Sequence, residues 1–582
     1  MSASFVFRQA VTLSRVIAEH VTSDPVFFGM QASRRLPRMY SKGVGRLLSK
    51  RKHPAVQATG LWLGGDLSEA RKVVRAATGK TRGISARVLG EIALHVGMRD
   101  EAEQFAAVAG TGSGARALRA RIAGYLGDMT GSIAAAPRGR PRSRLESERA
   151  AFARGWYPAV TRSRDVTQVP KADVVFSLTN SLPHTQSGYT LRTHAILQAV
   201  QGTGVGVLGT TRTSYPVSVG RFSWRDHDIV DGVTYVRDVP WNHGRTVEER
   251  IEKQAEFLAG VARGSDAKAL HTTTHFVNGV ATRAAAEHLG LPWIYEVRGV
   301  LEETWAAGRG TAEENQAVRG SERFSLFRDR ETEVALAADR VITLGQTMAA
   351  ELVRRGVNED KILVAPNAVS ASVLQADVSI PAGQVRAEQG LPRDGVWVGT
   401  AASIVGYEGL DVLVDAVEKV RSAGVDLRLL VVGDGVELPA LREQARPLGA
   451  AAVFTGRVPQ SHAHSLVRCL DVFVVPRRDD PVCSLVTPLK PVEAAGFGRP
   501  VVLSDLPALT ESLPPGAFIS VPPGDACALA DTLTWLGRDE DTRAALAAAG
   551  RDFVRRERRW DGVGRAYAEL YEGLGLEVGG SL

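Results

Sequence analysis

The sequence predicts an α/β protein: two tandem Rossmann-like domains behind an all-α N-terminal extension. Three observations predict it. From about Asp173 onward, short β-branched runs alternate with amphipathic helical stretches, the pattern of parallel sheets in doubly wound domains. The strand candidates fall into two sets, with a break between about Val369 and Val396 that holds Pro381, Ala382 and Gly383. Before residue 150 the alternation is missing, and Ala, Leu, Arg and Glu recur at helical spacing. At 582 residues the chain is also too long for one compact core.

Taken in order, residues 1–150 read as a helical extension and 151–170 as a linker; Pro, Arg and Ser already concentrate from 137 on. Residues 171–375 and 376–555 read as the two α/β domains, and 556–575 as a closing helix. Within the extension, Gly65-Asp66-Leu67-Ser68-Glu69-Ala70 resembles Gly97-Met98-Arg99-Asp100-Glu101-Ala102, 32 residues later, and Gly127-Asp128 opens a third copy 30 residues on. Helix pairs at that period mark tetratricopeptide-like stacks, with Gly closing one helix and an acidic or Ser residue starting the next. The copies lack the usual Trp and Tyr positions, so a plain helical bundle stays open. The first strand set is Asp173–Leu178, Gly204–Gly209, Ala269–Thr272, Trp293–Val297, Arg340–Thr343 and Ile362–Ala365. The second is Trp397–Ala401, Leu427–Val432, Ala452–Thr455, Val472–Pro476 and Val501–Leu503. Ligands of such sheets bind at the carboxyl ends of the strands, so a cleft between the domains is the expected site.

Composition narrows the function classes. Hydrophobic content of 44% and charged content of 23% are ordinary for a globular chain. Charges interrupt every long apolar stretch, so no transmembrane helix is expected; Arg8 and Arg15 break the pattern of a signal peptide. Cys469, Cys483 and Cys527 lack metal-ligand spacing and suit a reducing, cytoplasmic location. The net charge of +7 fits anionic partners. Arg34, Arg35, Arg38, Lys42, Arg46, Lys50, Arg51 and Lys52 lie in a stretch without Asp or Glu. Residues 34–52 are therefore a candidate for peripheral contact with an anionic membrane surface, against a solvated helix face or a disordered arm. Tyr40 is the lone aromatic there, so the stacking residues of a nucleic-acid binder are lacking.

Four constellations carry chemistry. The loop Ser177 to His194 follows the first strand and leads into a helix whose N-terminus favours an anion, with Gly188 allowing close approach and Tyr189 and Arg192 beyond it. An ordinary strand-to-helix turn is its plain alternative. His271 and His275 end a strand, where either could donate a proton or cap the next helix. Glu296 and Arg298 end the strand Trp293–Val297, as a phosphate site or as a structural ion pair. The strongest runs from Asp471 to Pro500. After a strand come Arg477 and Arg478, then Val486, a helix start at Thr487-Pro488, and Lys490 and Glu493 on one helix face. A cation in the first turn of a helix opposes the dipole, a misplacement that a bound diphosphate would justify. Glu493 suits ribose hydroxyls, because a carboxylate accepts two hydrogen bonds; a surface Lys–Glu pair is the alternative.

These segments resemble the family 4 retaining glycosyltransferases of GT-B fold, in a bacterial branch tied to polysaccharide and envelope synthesis. The likeness rests on the Gly188 loop, Tyr295–Gly299, Ala365-Pro366-Asn367-Ala368-Val369, Gly406–Asp411, Val432-Gly433-Asp434-Gly435, Phe454-Thr455-Gly456 and Thr487–Glu493, in family order over roughly residues 172–575. It implies an N-terminal acceptor domain touching acceptor through Gly188, Tyr189, Arg192, Glu296 and Arg298. It implies a C-terminal nucleotide-sugar domain with Ser403, Gly433, Gly435, Val486, Thr487, Lys490 and Glu493 as donor contacts. The last helix would cross back over the first domain. No tightly bound cofactor and no metal are implied; Lys490 and Arg477 stand in for a divalent ion, and His275, with His271 as alternate, meets the sugar or acceptor. Two departures stand out: Leu485 replaces the first of two glutamates spaced across seven residues, and Glu408 replaces a Lys. The implied partners are a nucleotide sugar and a glycan or glycolipid acceptor, with a protein partner for the helical region also open. A non-catalytic scaffold of the same fold and a nucleotide-sugar epimerase remain as alternatives.

Overall fold

A computed structural model of the chain describes residues 3–23, 38–166 and 169–577. It contains two parallel-rich sheets flanked by helices, preceded by helices alone. The first sheet has eight strands: β1 (Val174–Leu178), β2 (Val207–Thr211), β3 (His227–Val230), β4 (Val233–Val236), β5 (Ala269–Thr273), β6 (Trp293–Val297), β7 (Arg340–Thr343) and β8 (Ile362–Val364), in the order β3-β4-β2-β1-β5-β6-β7-β8. The second has six: β9 (Val396–Ala401), β10 (Leu427–Val432), β11 (Ala452–Gly456), β12 (Val472–Val475), β13 (Val501–Ser504) and β14 (Phe518–Val521), in the order β11-β10-β9-β12-β13-β14. Among the strands of the described residues, only β3 runs antiparallel. β1, β2, β5 and β6 are buried along their whole lengths, because helices cover both faces of a parallel sheet.

Eleven strands fall where the sequence predicts them, within a few residues at the ends. The β3–β4 hairpin and β14 are additions. The hairpin turns on Asp231 and Gly232, both at positive φ (46° and 83°), the Asp-Gly pair that matches strand twist in a two-residue loop. β14 is a four-residue edge strand bounded by prolines, too short to show a period.

The extension forms helical hairpins. Pro54–Gly64 pairs with Leu67–Ala77, Gly83–His95 with Arg99–Val108, and Ser113–Tyr125 with Met129–Ala135. Gly65, Gly97 and Gly127 take the left-handed conformation at the three turns, and Asp66 and Asp128 cap the following helices by accepting from Glu69 N and Gly131 N. Each such cap is worth about 1 kcal/mol. Although Pro, Arg and Ser concentrate from 137 on, the helical extension runs on through residues 140–152. They form a helix (Arg140–Phe152), because Pro141 sits in its first turn, where a missing N–H costs nothing. Ser147 of this helix bonds the backbone N–H groups of Val247 and Glu248, and Phe152 packs on Phe276 and Phe327, fixing the extension to the first sheet.

Of the basic stretch, residues 34–37 lie outside the described residues. From Arg38 it forms a helix (Arg38–Ser49) packed so closely on Pro54–Gly64 that a Cβ on Gly45 or Gly60 would meet backbone within 3 Å. Arg46, Lys50, Arg51 and Lys52 are exposed. Among the described residues no helix is long and apolar enough to cross a membrane. The last helix, Trp560–Glu572, lies on the helix Gly188–Gln201 of the first sheet, with Tyr567 and Tyr571 fully buried.

Candidate functional site

A cleft of about 600 Å³ separates the carboxyl ends of the two sheets. On the first-sheet side, Ser187 caps the helix Gly188–Gln201 through a reciprocal bond with Thr190, which brings Gly188, Tyr189 and Arg192 to the rim. Open space surrounds Gly188, so its missing side chain leaves room without relieving a clash. On the second-sheet side, the loops after β9, β10 and β12 and the turn before the helix Lys490–Gly496 supply Ser403, Gly433, Arg477, Val486, Thr487, Lys490 and Glu493. The helix begins at Lys490, three residues beyond the predicted Thr487.

The centre of that side is a buried charge cluster. Glu408 accepts from Arg477 Nη2 at 3.0 Å and lies 3.1 Å from Lys490 Nζ. Burial opposes the charge on Glu408, but Lys490 and Arg477 overcome it and hold the carboxyl down at about 2. Burial lowers the pKa of Lys490, opposed by Glu408. Two cations thus share one carboxylate, and the cluster keeps one positive charge facing the cleft. Glu408 holds both cations in place. Arg477 also donates to the Val486 carbonyl at 3.3 Å, tying the cluster to the turn.

Glycines let the backbone reach the cleft. Gly433 sits at φ 144°, and a Cβ there would lie 1.8 Å from the Ala402 carbonyl oxygen. Gly433→Ala is expected to push the loops after β9 and β10 apart and to weaken nucleotide binding by tenfold or more with the fold kept; unchanged nucleotide affinity by calorimetry would contradict this. Gly435 does not line the cleft, contrary to the donor-contact expectation. A Cβ there would meet the Ile404 carbonyl oxygen at 2.1 Å, so its smallness serves backbone packing.

The first-sheet side is held by a buried triad. Glu296 is fully buried, accepts from Arg298 Nη2 at 2.6 Å and from Arg192 Nη2 at 3.1 Å, and its carboxyl is held at about 2 by those charges against the penalty of burial. Arg298 donates to Thr193 Oγ1 (2.6 Å) and Arg192 to Asn367 Oδ1 (3.0 Å). Arg192 and Arg298 line the cleft; Glu296 does not. Glu296 therefore positions the two arginines, and its expected acceptor contact is corrected to the structural ion pair that the sequence left open. Asn367 Nδ2 in turn donates to the Thr487 carbonyl (3.0 Å), linking the two halves.

Neither histidine reaches the cleft, which corrects both catalytic expectations. His271 is fully buried. It is stacked on Phe176 and Tyr567 and bonded to the Tyr571 hydroxyl at 2.8 Å, and burial pushes its pKa down to about 3. It anchors the last helix. His275 caps the helix Phe276–Leu289 by accepting from Val277 N, and burial lowers its pKa to about 4. A neutral imidazole there makes a poor proton donor, and a strand end alone could not show which of two openings it would line.

The cleft also holds residues the sequence reading passed over. Arg457 is exposed directly after β11. His464 packs at a tilt against Phe497 and lies 3.7 Å from Glu493. Arg457 follows the carboxyl end of a strand, a signal that was available; His464 sits inside a helix and carried none. Among the described residues no group of three or more His, Cys, Asp or Glu side chains could hold a metal ion.

Comparisons with known proteins bear on the family and the fold. Residues 187–368 match the family model described as glycosyl transferase 4-like domain, and 393–539 match that of glycosyl transferases group 1. The chain is similar to phosphatidyl-myo-inositol mannosyltransferase of Mycobacterium leprae, 37% identical over 28% of this chain and 43% of that one. It is also similar to D-inositol 3-phosphate glycosyltransferase of Stackebrandtia nassauensis, 29% identical over 48% of this chain and 63% of that one. The match thus spans about half the length of these curated relatives. Among solved structures, sucrose-phosphate synthase of Thermosynechococcus elongatus superposes with a TM-score of 0.55 at 19% identity, covering 69% of this chain and 99% of that one. HepE of Anabaena in complex with UDP and glucose gives 0.51 at 14%, over 69% and 99%. The two family models together span more than half of the chain and meet across the cleft described above, so the protein belongs to the family 4, GT-B-fold glycosyltransferases.

Proposed function

We propose that the protein is a retaining glycosyltransferase that moves a sugar from a nucleotide diphosphate to a glycan or glycolipid acceptor in cell-envelope synthesis. The observation that carries this reading is the Glu408–Arg477–Lys490 cluster, one positive charge in excess, at the mouth of a 600 Å³ cleft. A diphosphate is the ligand whose charge such a cluster complements. In this reading residues 171–375 hold the acceptor, 376–555 the nucleotide sugar, and 556–575 cross back to the first domain. The similarity to a phosphatidyl-myo-inositol mannosyltransferase supports the envelope glycolipid assignment.

In the reaction the bond from the anomeric carbon to the diphosphate oxygen breaks. Lys490, Arg477 and the backbone near Val486 and Thr487 take up the departing charge, so no metal ion is needed. The acceptor hydroxyl oxygen bonds to the same face of the sugar and passes its proton to the leaving phosphate, which retains configuration. Ser403 and Gly433 flank the donor, and Glu493 holds ribose hydroxyls. Gly188, Tyr189, Arg192 and Arg298 face the acceptor. The enzyme works in the cytoplasm, at the inner face of the membrane, with exposed Arg46, Lys50, Arg51 and Lys52 favouring anionic lipid. The helical hairpins leave a surface for a protein partner.

Thermal unfolding with a panel of nucleoside diphosphates and their sugars, with and without Mg²⁺, tests the reading. A ligand at 100 times its dissociation constant stabilises the folded state by about 2.7 kcal/mol, and the shift is expected in one transition of a multidomain chain. One nucleotide is expected to shift that transition without metal, and Glu493→Ala to abolish the shift. No shift with any donor would overturn the proposal in favour of a non-catalytic scaffold, and a changed sugar released without acceptor would identify an epimerase.

A further inference from the structure

A second cavity, of about 420 Å³, opens at the carboxyl ends of β1, β2 and β5 and shares no lining residue with the interdomain cleft. Arg212, Ser214 and Ser218 reach it from the segment after β2, His275 from the end of β5, and Arg144 from the helix Arg140–Phe152 of the extension. No side chain lining it is acidic.

Three of its polar side chains, Arg212, Ser214 and Ser218, have buried polar atoms without a hydrogen-bond partner. Burial pushes the pKa of Arg212 down, no carboxylate is among the groups that act on it, and its buried Nε makes no hydrogen bond. Ser214 is 4% exposed, its Oγ is unpartnered, and its φ of +69° lies in the left-handed region that serine seldom occupies. The backbone pays for that conformation only where something holds it, and such residues gather at functional sites. The Ser218 Oγ is also buried and unpartnered. His275 uses Nδ1 to accept from Val277 N, which leaves Nε2–H as a donor. A half-buried guanidinium with its Nε sealed from water and no carboxylate beside it, next to unsatisfied hydroxyls, is costly unless an anion completes it.

We infer that this cavity binds the phosphate group of the acceptor. Arg212 and Arg144 supply the charge, and Ser214, Ser218 and His275 the hydrogen bonds. Assigning the phosphate to the acceptor rests on the transferase reading; the phosphate site itself rests on the cavity alone. The extension then completes the acceptor site, which is a physical reason for its being packed against the first sheet.

The test is calorimetric titration of the full chain with inorganic phosphate and with a soluble cyclitol monophosphate, with the interdomain cleft saturated by the nucleoside diphosphate that binds it. Binding of both with the nucleotide present is expected, weakened tenfold or more in Arg212→Gln and in Ser214→Ala. Arg212→Lys is expected to recover part of it, and Arg144→Ala, at an exposed position safe for folding, to lose severalfold. Nucleotide affinity should not change in any variant. Sedimentation with phosphatidylcholine vesicles, with and without phosphatidylinositol, separates the sources. An Arg212-dependent gain with phosphatidylinositol assigns a lipid headgroup, and binding of the soluble ester without that gain assigns a free phosphorylated acceptor. Displacement of phosphate by the nucleotide, or equal phosphate and vesicle affinities in wild type and Arg212→Gln, would overturn the inference. If no nucleotide binds but Arg212-dependent phosphate binding persists, the transferase reading falls and the phosphate site stands.

Discussion

Lys490→Ala is expected to lower turnover by 100-fold or more, about 3 kcal/mol of barrier, the usual cost of removing one preorganised donor to a developing charge. The electrostatics of the cleft argue for the upper part of that range. With Lys490 present, two cations face one carboxylate and a positive charge remains for the diphosphate. Without it, Arg477 and Glu408 cancel, and this cluster offers a leaving anion no net charge. Lys490→Arg keeps the charge and should restore part of the rate, although a planar guanidinium cannot copy a point charge. Hydrolysis of the nucleotide sugar without acceptor, followed alongside nucleoside diphosphate affinity, separates loss of chemistry from loss of binding. Wild-type rates in Lys490→Ala would refute the role given to this cluster.

Glu296→Gln is expected to destabilise the first α/β domain by about 3–5 kcal/mol, the cost of removing one partner from a buried ion pair. Glu296 serves two guanidiniums at once, and both stay buried when its charge is gone. Arg192 keeps the carbonyl of Ala365 at 2.9 Å and the side chain of Asn367, which bounds the loss. Urea unfolding followed by a probe in the first domain reads the effect. Because the second domain holds its own charge cluster, nucleotide affinity should change little while acceptor-dependent transfer falls. A stability equal to wild type would show that the triad contributes nothing net to the fold.

These two clusters mark where local sequence stops informing. The strands β1, β5, β6, β9, β10 and β12 are legible because a strand buried on both faces must be a continuous β-branched run. The three glycine turns of the extension are legible because left-handed backbone selects glycine. Lys490 was legible as a misplaced cation in a helix's first turn. Its partner Glu408 lies 82 residues earlier in the chain and was readable only as a departure from a family pattern. No period or spacing connects them; the parallel sheet does, by bringing the loops after β9 and β12 side by side.

The same limit explains the histidines. His271 lies within β5 and His275 just beyond it, and the sequence offers each as a cleft residue. The packing of Tyr567 and Tyr571 encloses His271, and the helix that follows β5 takes up His275 Nδ1. The sequence by itself determined the two α/β units, the helical extension and the stretch that bears the donor cluster, because burial and backbone conformation leave their mark residue by residue. Only the tertiary structure decided which ionisable groups share a charge, which face water and which are sealed. Those properties belong to groups distant in the chain, and solvation and Coulomb energies depend on position in space.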